Sequence, residues 1–260
     1  MIIDAHCHIG TDVTFDQQTT EEELLDNFRS YGVDGGIVQP YIPRPYIEEF
    51  QNIHDRIYRM TKKSPGRIFG MASVNPHFRA EDYERETKRC VQELGFVGIK
   101  ITPAGHAISP CSKDGMHVFQ VARELKVPVM IHTGMGIPFA DPIKIQPCAE
   151  AFPDVPIVMA HAGANFYTQQ AIYVAKTYEN VFIEPSGAGI EATCEIIESL
   201  GPARVMFSSD VTLQMQTELS KYRDLHRRGI LDEEGMEQIM YKTAETVFKL
   251  KLSNEERTKI

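Results

Sequence analysis

Short apolar runs recur along the chain, each followed by a polar turn and then by a stretch in which apolar residues return every three or four positions. The runs fall at residues 2–9, 35–39, 68–74, 97–101, 129–132, 157–161, 181–184 and 205–208. Most are continuously apolar rather than alternating, the pattern of strands covered on both faces. Strand followed by helical segment, repeated, predicts a parallel sheet with crossover helices.

The helical stretches carry their own punctuation. Thr20 and Glu23 have capping-box spacing, and Leu24, Leu25, Phe28 and Tyr31 then repeat at helical intervals up to a stop at Gly32. Phe50, Ile53, Ile57 and Met60 mark a second helix, broken by Ser64, Pro65 and Gly66. Tyr83, Thr87, Val91 and Leu94 line a third with Gly95 at its C-cap, and Val118, Ala122 and Leu125 a fourth that ends before Pro128. Weaker helices are expected around 145–152, 166–178, 189–200 and 218–228, with a last one at 233–250.

Eight repeats in 260 residues predict an α/β fold of the (β/α)8 type, a TIM barrel, as one domain over residues 1–260. A doubly wound open sheet also alternates strand and helix, but it commonly opens with a glycine-rich phosphate turn, and no G-x-G-x-x-G follows the first run.

Composition narrows the function classes. A formal charge of -9 without a clustered Lys/Arg stripe speaks against nucleic acid as a partner. No apolar run reaches the roughly 20 residues that span a bilayer, and no signal-like segment opens the chain, so no membrane partner and a cytoplasmic location are expected. Five cysteines (Cys7, Cys90, Cys111, Cys148, Cys194) lack Cys-x-x-Cys spacing, which fits a reducing compartment and neither a disulfide framework nor a thiolate zinc site. Cys7 and Cys194 read as packing residues. Oligomeric state leaves no signal, and a homodimer is expected only because dimers are common among enzymes.

Chemistry enters at the ends of the runs. His6 and His8, two apart on one strand, can aim both imidazoles at one ion. His132 and His161 end their runs and Asp210 stands just past the eighth, so all reach the C-terminal rim where barrel enzymes keep their sites. His6, His8, His132 and Asp210 form a ligand set for one divalent metal, zinc first, with manganese, iron or cobalt also suited. That set leaves one position open for a water to be activated. Lys100, inside the fourth run, is expected to pair with an anionic group of the substrate. Tyr41, Arg44, Asn75, His77, His106, Asn165 and Ser186 are further rim residues with a weaker claim.

The segments Ile3-Asp4-Ala5-His6-Cys7-His8-Ile9-Gly10, Gly98-Ile99-Lys100-Ile101, Ile131-His132-Thr133-Gly134, Ala160-His161-Ala162-Gly163 and Phe207-Ser208-Ser209-Asp210 resemble, in order, the signatures of the amidohydrolase superfamily. The likeness is to the amidohydrolase-related branch, amidohydrolase family 2, which includes aminocarboxymuconate semialdehyde decarboxylase. Thr243 and Thr246 stand where that branch commonly has Asn and Arg, and Ser208 where it commonly has Gly. The resemblance implies His6, His8, His132 and Asp210 as metal ligands, His161 as general acid/base, and Asp210 also as proton carrier. Lys100 stands where other amidohydrolases carry a carboxylated lysine that bridges a second metal, and the resemblance to this branch implies that it is unmodified here.

The leading expectation is therefore a metal-dependent hydrolase that cleaves a C–N or C–O bond of a small, anionic molecule with activated water. The alternative is a metal-dependent lyase, a decarboxylase or hydratase, acting on a small aromatic or dienoic acid. A ligand-binding barrel without catalysis is the third reading, disfavoured because no ligand position is missing.

Overall fold

The computed structural model describes residues 1–134 and 138–253. In chain order the strands are β1 (Ile3–Asp12), β2 (Gln17–Thr19), β3 (Gly35–Pro40), β4 (Ile68–Gly70), β5 (Ile99–Ile101), β6 (Val129–His132), β7 (Ile157–Ala160) and β8 (Val181–Glu184). All neighbours pair in parallel except β2, which folds back antiparallel on β1. Hydrogen bonding groups them as β2-β1-β3-β4 and β5-β6-β7-β8. Single bridges join the groups: Ala72 with Ile99 on one side, and on the other Ile183 with Val205 and Cys7 with Asp210. The run 205–208 thus closes the barrel without becoming a regular strand, through Met206 N–H to Ile183 C=O and Ala5 N–H to Phe207 C=O, both 3.0 Å. The result is the expected (β/α)8 TIM barrel.

The crossover helices are α1 (Glu21–Tyr31), α2 (Ile47–Lys63), α3 (Ala80–Lys88), α4 (Pro103–His106), α5 (Lys113–Leu125), α6 (Gln146–Ala151), α7 (Thr168–Thr177), α8 (Ile190–Leu200) and α9 (Met215–Arg227), and α10 (Glu233–Glu237) and α11 (Thr243–Phe248) end the chain. The Thr20/Glu23 capping box forms, and Gly32 ends α1 in the left-handed region at φ 71°. Two elements depart from the sequence pattern. The β1–β2 hairpin and the one-turn α4 are both short and polar or proline-led, so neither carries an apolar period. The last helical run is split by a π turn over residues 238–242.

Two apolar layers hold the barrel. The outer one lies between strands and helices and includes Cys7, Ile9, Val38, Ile99, Ile131 and Phe207. The inner one fills the barrel with Ile3, Ala5, Ile37, Met71, Met130 and Met206, and α11 plugs its lower end with Val247 and Phe248. In β1 the inward positions change parity. Ile3 and Ala5 belong to the inner layer, whereas Cys7 and Ile9 belong to the outer one. The pairing of β1 with β3 shifts between Asp4 and Cys7, and this bulge turns His6 and His8 inward. No helix among the described residues is long and apolar enough to cross a membrane.

Candidate metal centre

Barrel closure assembles the site. Asp210 N–H donates to the His6 carbonyl at 2.7 Å, so the first strand and the closing segment are stapled at the level of the histidines. Asp4 reinforces the staple. Its carboxylate accepts from the backbone of His6 at 3.1 Å and of Ser209 at 3.0 Å, and from the Ser209 hydroxyl at 2.5 Å. Burial raises the Asp4 carboxyl to about 7.

Ring partners decide which imidazole nitrogen is free. His6 Nδ1–H donates to Glu184 Oε1 at 2.5 Å, and His8 Nδ1–H donates to the Pro40 carbonyl at 3.0 Å. His161 Nδ1–H donates to the Ser186 carbonyl at 3.1 Å, with the Ser186 hydroxyl also at 3.0 Å. Each ring therefore turns an Nε2 lone pair into the barrel. His6 Nε2 and His8 Nε2 lie 2.8 Å apart, and Asp210 Oδ1 is 3.3 Å from the first and 3.4 Å from the second. His161 Nε2 is 4.0 Å from the same oxygen and, though buried, has no hydrogen-bond partner among the described residues.

Two lone pairs aimed at one point 2.8 Å apart repel unless a cation or proton lies between them. Tetrahedral zinc with bonds of roughly 2.0–2.1 Å holds its donors roughly 3.3 Å apart, so the His6, His8 and Asp210 triangle has the dimensions of a metal face. Two groups of donor atoms at this mouth lie within 4.8 Å of one another: His6, His8 and Asp210, and His6, His161 and Glu184. A divalent metal fits this donor set. His132, expected as a ligand, ends β6 with its ring edge-on to His161 at 4.4 Å, and in this conformation its nitrogens lie outside both groups.

Electrostatics follow from burial. Desolvation lowers His6 to about 3, helped by the nearby Lys100 charge, and pushes His132 well below the ordinary histidine value. Both imidazoles are thus neutral, the state a metal requires. Burial alone would raise Asp210 and Glu184. The imidazoles of His161, His6 and His8 that face Asp210 hold it well below the usual carboxylate range, and the hydrogen bonds from His6 Nδ1–H and the Ser208 hydroxyl hold Glu184 at about 2. Lys100 is completely buried on β5, with Nζ 2.8 Å from His6 Nε2. Burial lowers it to about 8, and it forms no ion pair with a carboxylate among the described residues.

His161 (φ 67°) and Asp210 (φ 63°) both occupy the left-handed region. For non-glycine residues this costs on the order of 1 kcal/mol each and is found most often where side chains are aimed for chemistry. Glu184 was not singled out from the sequence, although it ends its apolar run as His132 and His161 end theirs. Its second oxygen accepts from the Ser186 backbone at 2.9 Å and from the Ser208 hydroxyl, which gives Ser208 a purpose at a position where glycine is common. Among the weaker rim residues, Ser186 reaches the site. His77 instead pairs with Asp114 at 2.7 Å, and Asn165 accepts from Gly189 N–H at 2.7 Å. His106 is buried at the rim, its Nδ1 accepting from Thr102 N–H at 3.2 Å. Beside the mouth, a cleft of about 280 Å³ is lined by Thr11, Tyr41, Arg44, Glu49, Asn52 and Arg56.

The structure is similar to that of 2,6-dihydroxybenzoate decarboxylase from Rhizobium, with a TM-score of 0.77 at 16% identity, covering 96% of this chain and 98% of that one. It is similar to 5-carboxyvanillate decarboxylase from Novosphingobium aromaticivorans in complex with manganese and 4-hydroxy-3-methoxy-5-nitrobenzoic acid, at TM-score 0.77, 18% identity and 96% coverage of both chains. A TIM-barrel protein of Bordetella bronchiseptica, itself uncharacterized, matches with TM-score 0.75 at 14% identity over 96% of this chain and 99% of that one. A search of curated proteins finds no match. The amidohydrolase family model, that of family 2, aligns with residues 3–250, nearly the whole barrel and every histidine and carboxylate of the site. The chain is a member of the amidohydrolase family.

Proposed function

We propose that the chain is a metal-dependent lyase that removes carbon dioxide from a small aromatic or dienoic acid. The observation that carries the proposal is Lys100: a buried amine facing the metal-type donor cluster and, among the described residues, in no ion pair with a carboxylate. A divalent metal in this site and the Lys100 amine both attract negative charge, and an anionic group placed between them would be held by both. A substrate carboxylate supplies it. The decarboxylases with the same fold, one of them manganese-bound, support the same choice.

In this reading His6, His8, His132 and Asp210 hold the ion, and zinc, manganese, iron or cobalt all suit such ligands. Once bound, the metal supplies Lewis acidity toward the substrate carboxylate. Lys100 pairs with that carboxylate. Glu184 fixes the His6 tautomer, and Ser186 fixes that of His161. His161 Nε2, 4.0 Å from Asp210 Oδ1, would act as the general acid that passes a proton to the carbon bearing the carboxylate. The bond from that carbon to the carboxyl carbon then breaks, its electron pair returns to the ring or diene, and carbon dioxide leaves. The balance is R–CO2⁻ plus H⁺ giving R–H plus CO2, and solvent reprotonates His161 by way of Asp210. The remainder of the substrate occupies the cleft between Tyr41 and Arg44. One barrel domain, unmodified Lys100 and a reducing, cytoplasmic setting complete the reading; all five cysteines are free.

Hydrolysis of a C–N or C–O bond, the leading expectation from sequence, rests on family membership alone and uses the same His161 and Asp210 to move protons from water. The test is a panel of hydroxybenzoates, dienoic acids, lactones and amides incubated with the metal-loaded protein. Carbon dioxide released from an acid, and lost in Lys100→Met, is the expected result. Turnover confined to lactones or amides overturns the lyase reading.

A further inference from the structure

The rings of the site are not equally restrained. His6 is fixed by Glu184 and walled in completely, and His161 has two contacts from Ser186. His8 is tied to the surrounding backbone by one hydrogen bond, Nδ1–H to the Pro40 carbonyl, while its Nε2 faces His6 and Asp210 across the site, and a single N–H···O contact on the outer side leaves a ring free to swing about its own axis. What fixes its plane is Tyr41. The two rings stack at 4.7 Å between centroids and 10° between planes. Tyr41 is in turn held by its backbone, whose N–H donates to the Ile9 carbonyl at 3.0 Å.

The same segment packs beside β2, the hairpin strand the barrel itself does not require, which pairs with β1 from Gly10 onward, two residues past His8. Asp12 secures the hairpin by accepting from the backbone of Thr14 at 2.7 Å, Phe15 at 2.9 Å and Ile42 at 3.4 Å. We infer that Tyr41 is a positioning residue for the metal centre, its ring clamping the His8 imidazole in its ligating plane and the β1–β2 hairpin bracing its segment through the Asp12 contact to the Ile42 N–H. The inference rests on the reading of His8 as a metal ligand. Partners of this kind hold a ligand's orientation, and their loss typically lowers metal affinity about 10-fold to 100-fold.

The experiment measures the affinity of the full chain for manganese and for zinc by competition with a chromophoric chelator, together with the thermal midpoint of the metal-free protein. Tyr41→Phe keeps the ring and is expected to stay within about threefold of the wild type. Tyr41→Leu is expected to weaken binding at least about tenfold. If that variant fails to fold, Tyr41→Met replaces it, with the same expectation. Wild-type affinity in the leucine or methionine variant, with only the metal-free midpoint lowered, overturns the inference and reduces Tyr41 to core packing. A wild-type chain that binds neither metal removes the proposed function itself, and this inference with it.

Discussion

A histidine offers a metal one nitrogen only when the other is committed, and at this site the committing groups decide as much as the ligands. Glu184 holds His6 at 2.5 Å and is itself held by Ser208 and the Ser186 backbone. Glu184→Gln is expected to lower metal affinity about 10-fold to 100-fold, and Ser208→Gly by less, both read by chelator competition. His161 and His132 separate by a second measurement. His161→Asn is expected to abolish turnover while retaining metal, whereas His132→Ala is expected to lose both; metal content by elemental analysis decides. At this scale the sequence was legible where a polar residue interrupts an apolar run: His6, His8, His132, His161 and Asp210 all stand out in that way. Glu184 follows the same rule but looks like an ordinary strand end, and Asp4 is hidden because its partner, Ser209, lies at the opposite end of the chain.

Elements were legible in proportion to their apolar period. Seven of the eight expected runs form strands, and the eighth pairs through bridges. The β1–β2 hairpin was not legible, since Gln17, Gln18 and Thr19 carry no apolar pattern and pair only because β1 extends to Asp12. The bulge in β1 was equally silent, although it is what aims His6 and His8 inward. Close strand packing shows at Gly35, where an added Cβ would lie 2.1 Å from the Arg67 carbonyl oxygen. Gly35→Ala is expected to destabilise the protein by about 3 kcal/mol in urea unfolding, because backbone must yield. Between α2 and α3, Glu86 accepts from His54 at 2.8 Å and from Arg89 through two contacts at 2.9 Å. Burial works against the Glu86 charge, yet the His54 and Arg89 contacts outweigh it and hold the carboxyl at about 2, below the ordinary 4.5. A depressed carboxyl contributes stability that is complete above about pH 4.5 and is lost as pH falls toward 2, on the order of 3 kcal/mol. Urea midpoints at pH 7 and pH 3 are expected to differ less in Glu86→Gln than in the wild type.

At the scale of the molecule, the pairing that closes the barrel also assembles the metal centre: the Asp210 to His6 backbone contact does both. Fold and site are therefore coupled, and metal is expected to stabilise the barrel by about 4 kcal/mol when its free concentration is a thousandfold above the dissociation constant. Adding a chelator should lower the thermal midpoint of the wild type and leave that of Asp210→Asn unchanged. The barrel class was legible because eight repeats fill one chain, and the family because its signatures sit at the strand ends. The reaction was not, because hydrolase and lyase share these ligands and differ in the groups around the substrate. The central claim is tested most directly by anomalous diffraction from crystals grown with manganese or zinc. A single peak within about 2.0–2.3 Å of His6 Nε2, His8 Nε2 and an Asp210 oxygen is the predicted result. No peak at that position in metal-saturated crystals, with the three side chains turned apart, would contradict it.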